Sequence, residues 1–141
     1  KNFLGSRWLR FGEWGGDAHI RLFNRKTVQW NTAAVHESLQ LPPDTKIVCL
    51  NGFVLHKTAA HLQEYKDKMQ NYAALNAQKY FAQGKTTGMG KLILAPVFSF
   101  VINYLFKLGF LDGSAWFHCA RISAAYTFWK YKKLRKLAGK N

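Results

Sequence analysis

The sequence predicts an α+β chain in which a small β-rich unit comes first and about three helices follow. Three observations predict it. Before residue 57 the apolar pattern alternates with period two and is broken by turn signals. From Thr58 to Gln83 the period becomes helical. After Gly84, long apolar and aromatic runs are separated by glycine-rich breaks. The division falls at residues 1–57 and 58–141.

The elements follow in order. "FLGSRWLRFG", residues 3–12, reads as a loop or short helix between glycines. Residues 18–24 read as the first strand. Its alternation sends Ala18, Ile20 and Leu22 to a core face and puts Asp17, His19 and Arg21 in one polar row. "TVQWN", 27–31, is a second short strand, and 33–40 stay unassigned. "LPPDTK", 41–46, is a turn by its proline pair and Asp44. "IVCLNGFVL", 47–55, reads as two β segments joined at Asn51-Gly52, a two-residue hairpin signal. A helix over 58–83 has Thr58 as its N-cap and Gly84 beyond its end. "GKTTGMG", 84–90, is a connector; it lacks the spacing of a phosphate-binding Walker loop. Residues 92–106 carry no charge between Lys91 and Lys107. Fifteen residues fall short of the roughly 20 that cross a bilayer, so this run reads as a buried or interfacial helix. "GFLDG" breaks it, and Ser114 or Asp112 caps a last helix ending near Leu137.

Charge narrows the partners. Lys and Arg number 21 against 7 Asp and Glu, a formal net charge of +14. The imbalance calls for an anionic partner. Beyond residue 70 the only acid is Asp112, amid apolar and aromatic residues. A greasy, cationic half suits an anionic membrane surface. Nucleic-acid binders carry their charge on a more polar background, and no RNA- or DNA-binding motif is present. Cys49 and Cys119 make no metal pattern with the five histidines, and read as free, buried thiols of a reducing compartment.

Three places offer chemistry. The row Asp17, His19, Arg21 reads either as a solvated face or as a site edge, with a carboxylate as base and an arginine for phosphate. In "VHE", Glu37 is a second possible base, or with His36 a cation holder; a surface dipeptide is the plain alternative. His56 closes "FVLH" at a strand end, a place where sites gather and where a structural histidine is equally at home.

The order "NFLGSRWLRFGEWGGDAHIRLFNR", "VHE", "LH", "FLDG" and "FWKYKKLRKL" resembles the C-terminal half of bacterial family 2 glycosyltransferases. The resemblance is closest to enzymes that glucosylate the lipopolysaccharide inner core. It implies the C-terminal part of a GT-A fold and an inverting transfer from a nucleotide-sugar to an anionic lipid-linked saccharide. It further implies a divalent cation (Mg or Mn) and a peripheral place on the inner face of the cytoplasmic membrane. Carried onto this sequence, Asp17 or Glu37 is the base, Arg21 and His36 contact substrate, and His56 is a metal ligand. The family's Asp-x-Asp donor motif has no counterpart here. The resemblance therefore implies a fragment, inactive alone, with strand edges open to homodimer formation.

Overall fold

A computed structural model describes residues 1–15, 18–31 and 38–139. The architecture is α+β. The strands are β1 (Asn2–Leu4), β2 (Arg7–Leu9), β3 (Gln29–Trp30), β4 (Leu39–Gln40) and β5 (His56–Ala59). The helices are α1 (Leu62–Ala82), α2 (Met89–Val101) and α3 (Ser114–Leu137). One sheet has the order β2-β1-β5, with β1 antiparallel to β2 and parallel to β5; β3 and β4 form a separate two-stranded ribbon.

Residues 3–12, read as loop or helix, hold the β1–β2 hairpin. Gly5 turns it with φ +59°, a left-handed value that glycine adopts without strain. Residues 18–24 pair with no strand among the described residues, which corrects the strand expected there. The expected core face is not one either. Leu22 is 78% exposed, Ala18 is exposed, and only Ile20 is half-buried. Residues 47–55 likewise form no ladder. Cys49 among them is exposed, not buried as expected, whereas Cys119 is buried. A two-residue type I′ turn needs φ > 0 at both central residues. Gly52 stands at φ +141° and Asn51 is not in the left-handed region, so the Asn-Gly signal makes a bend.

α1 begins three residues later than expected, because Thr58 is drawn into β5. Its cap is His61, whose Nδ1 accepts from Glu64 N, while Glu64 Oε2 reaches one residue before the cap and accepts from Ala60 N at 2.6 Å, a variant of the capping box. At its other end Gly84 (φ +69°) donates to Phe81 O and Lys85 N to Tyr80 O, the Schellman pattern the sequence implied. α1 and α3 run in the same sense, Tyr65 meeting Ser123 and Ala77 lying in one small core with Leu134. α2 returns the other way, with Leu92 in that core and Phe100 against Phe117.

The main core lies where the sheet meets the helices and draws on both sides of residue 57: Leu4, Leu9, Ala59, Tyr65, Trp116 and Cys119. Trp116, 0% exposed, is its centre. Gly12 and Gly109 press on its ring: a Cβ at either would sit 1.8–1.9 Å from an indole carbon. α2 runs into a π-turn over Ile102–Phe106, where Lys107 N donates to Ile102 O. The Asn103 carbonyl there accepts the Trp116 indole N–H at 3.2 Å.

Candidate functional site

Of the sequence-derived site residues, Asp17, His36 and Glu37 lie outside the described residues. Arg21 stands exposed on the irregular 18–24 stretch, not in a strand row. His56 opens β5, exposed, with Nδ1 2.9 Å from Asn2 Oδ1. Asn2 Nδ2 donates to Trp14 O, which fixes that amide with its oxygen toward the imidazole. Nδ1 is therefore the donor, and the neutral ring keeps its lone pair on Nε2, the atom a cation takes. No three His, Cys, Asp or Glu side chains cluster to hold a metal among the described residues.

Two carboxylates to which the sequence assigned no site role hold the junction between sheet and helices. Ser114 or Asp112 was expected to cap α3; Gly113 occupies that position instead, and Asp112 is 8% exposed. The carboxylate turns to the sheet side, where Oδ2 accepts from Arg10 N and Phe11 N, both at 2.8 Å. Its main-chain oxygen accepts from Arg7 Nη2. Glu13 Oε1 accepts from Ser123 Oγ at 2.6 Å and from Tyr65 Oη at 3.2 Å, and the two hydroxyls lie 3.0 Å apart. Two hydroxyl protons serve three short contacts, so the cluster is tightly coupled. Burial, with Glu13's charge adding to it, pushes the Tyr65 phenol far above its ordinary value. The same two causes, then Asp112, push the Cys119 thiol up to about 12. No sequence spacing announces this cluster, since its partners are 52 and 110 residues apart.

The second notable surface is apolar. Ile93, Leu94, Val97, Phe98, Ile102 and Leu105 recur at helical spacing and are all exposed. Amphipathic helices normally turn that stripe inward; here it faces out. The segment Met89–Phe106 has a mean hydropathy of 1.6 and is only 11% buried, long and apolar enough by composition to cross a membrane. Its α-helical part, α2, has 13 residues with Pro96 inside, about 20 Å at 1.5 Å each, against a hydrocarbon layer of about 30 Å. Lys91, Lys107 and Arg121 flank the stripe, all exposed.

Compared with known proteins, the chain is 27% identical over 129 residues to an uncharacterised glycosyltransferase of Rickettsia typhi. That match covers 86% of this chain and 44% of the relative, so the chain spans less than half the length of the curated relative it matches. No family model matches the chain, and no solved structure matches it. The likeness is to a glycosyltransferase, and supports a glycosyltransferase-like relationship.

Proposed function

We propose that this chain is the acceptor-side, membrane-facing part of an inverting family 2-type glycosyltransferase. It serves transfer of a sugar, glucose by the sequence resemblance, from a nucleotide-sugar to a saccharide on an anionic lipid. The place is the inner face of the cytoplasmic membrane. The observation that carries the reading is the likeness to a glycosyltransferase along most of the chain. The outward apolar stripe of α2, with its cationic flank, supports the membrane side.

In this reading Asp17 or Glu37 takes the proton of the acceptor hydroxyl as the sugar arrives. Arg21 and His36 contact the anionic substrates. A divalent cation would hold the donor diphosphate, and His56 Nε2 would be its ligand from this chain; the Asn2 amide that receives Nδ1–H would orient the ring, as outer-shell partners do. Transfer is measured in the complete enzyme with UDP-glucose and a lipid-linked core saccharide. Asp17→Asn or Glu37→Gln, whichever removes the base, lowers turnover about 10²–10⁴-fold. Full turnover in both variants would overturn the assignment.

A further inference from the structure

Where α1, α2 and α3 converge, Tyr80, Lys85, Thr86, Lys91, Tyr131 and Leu134 line a pocket of about 360 Å³, within the range of about 300–1,000 Å³ usual for small-ligand sites. Its charge is of one sign. Lys85 Nζ lies 4.6 Å from the centre of the Tyr80 ring, and Lys91 Nζ lies 5.0 Å from that of Tyr131. Lys130 Nζ stands over both rings, at 5.4 and 4.8 Å. Acids are sparse along this part of the chain: beyond Asp67 the sequence has only Asp112, tied to Arg10 and Phe11 at the sheet. Burial, then the charge of Lys91, holds the Lys130 ammonium below the ordinary lysine value. Lys85 and Lys91 line the pocket and Lys130 stands beside its two rings, a concentration of positive charge that suits an anion.

Next to this pocket runs a mostly apolar groove of about 530 Å³ between α2 and α3, lined by Ile93, Val97, Ala124, Ala125 and Phe128 among others, with Arg121 the one charged residue on its wall. The two share a wall. Leu92 lines the groove and lies in one small core with Tyr131 and Leu134, which line the pocket.

We infer that this place binds an anionic phospholipid of the bilayer, its phosphate among Lys85, Lys91 and Lys130 and one acyl chain along the α2–α3 groove. The site goes beyond glycosyl transfer and does not depend on it. Charge complementarity commits the groove to a phosphate-headed lipid: a neutral amphiphile leaves the lysines unanswered, and a free phosphate leaves the groove empty.

The test titrates the full chain with alkyl phosphates below their micelle concentration and with inorganic phosphate. It then measures flotation with phosphatidylcholine vesicles with and without phosphatidic acid. Affinity should rise about fourfold per added CH₂ over the first carbons, which corresponds to about 0.8 kcal/mol. Lys91→Gln and Lys130→Gln should each weaken alkyl phosphate about fivefold, about 1 kcal/mol, while Lys66→Gln, exposed on α1 and in neither the pocket nor the groove, changes it less than twofold. Ala124→Trp, filling the groove, should abolish the chain-length dependence and leave inorganic phosphate binding unchanged. A circular dichroism melt matching the parent confirms that each variant is folded. Affinity independent of chain length would reduce the site to a soluble-phosphate pocket and overturn the inference. Equal losses for Lys66→Gln and Lys130→Gln would reduce it to diffuse charge and overturn the inference. Absence of transfer activity in the complete parent enzyme, with alkyl phosphate binding intact, would count against the glycosyltransferase reading and not against this site.

Discussion

The junction around Trp116 and the stretch from Ala18 to Leu55 are built from similar residues and behave in opposite ways. At the junction nearly every polar group has a partner and apolar side chains are enclosed, down to two glycines whose missing Cβ atoms make room for one indole. Along the described parts of the second stretch Leu22, Ile47, Val48, Leu50, Phe53 and Val54 are exposed. Only Val28 there is a buried hydrophobic residue. Hydrophobicity does not by itself place a residue inside; a surface to bury it against does. The junction has the three helices, whereas among the described residues the second stretch has only the β3–β4 ribbon and the edge of β5.

The contrast is sharpest in stability. Trp116→Ala should cost about 3–5 kcal/mol, measured by urea denaturation, since it empties the centre of the core and leaves the Asn103 carbonyl without its donor. A loss below about 1 kcal/mol would mean the junction is not the stabilising region. Asp112→Ala should follow at about 2–4 kcal/mol, because the main-chain N–H groups of Arg10 and Phe11 lose their acceptor. Asp112→Asn should recover part of this, an amide oxygen still accepting.

Alkaline pH probes the same region through its thiol. The Cys119 pKa is raised from 9.0 to about 12 in the folded chain, so the neutral form is favoured by folding. Its contribution is complete below about 9 and is lost as pH rises towards about 12. Tyr126, raised by burial first from 10.0 to about 12, acts in the same sense. Denaturation midpoints should therefore fall across that window, and Cys119→Ala should flatten the early part of the fall. At neutral pH a thiol reagent should modify exposed Cys49 and spare buried Cys119 until the chain unfolds. The smallest effect belongs to the open stretch: Leu22→Ser should change stability by less than about 0.5 kcal/mol. A loss of 2 kcal/mol or more in the same titration would show that Leu22 is packed and end the comparison.

The helices were legible because their signals are local. The 3.6-residue period, Gly84 past the end of α1 and the uncharged run before Lys107 need no distant partner to be read. Residues 18–24 and 47–55 were misread for the complementary reason. Period-two alternation and an Asn-Gly pair state a strand's readiness to pair, while a ladder needs a second strand in register. The β1–β2 hairpin was missed because two three-residue strands are too short to show alternation, and β1 gains its place from β5, more than fifty residues away. Asp112 was seen as a cap because helix starts favour Asp; only the approach of the Arg10–Phe11 backbone draws its carboxylate elsewhere.

By itself the sequence determined the α+β order, the three helices, the excess of positive charge and the likeness to a glycosyltransferase, all properties carried by composition, short-range period or motif order. Tertiary structure alone decided which apolar residues found cover, which carboxylates became ties between sheet and helices, and that three lysines meet beside an apolar groove. Those outcomes depend on which surfaces come within a few ångströms of each other, and the positions that meet are separated by tens of residues along the chain.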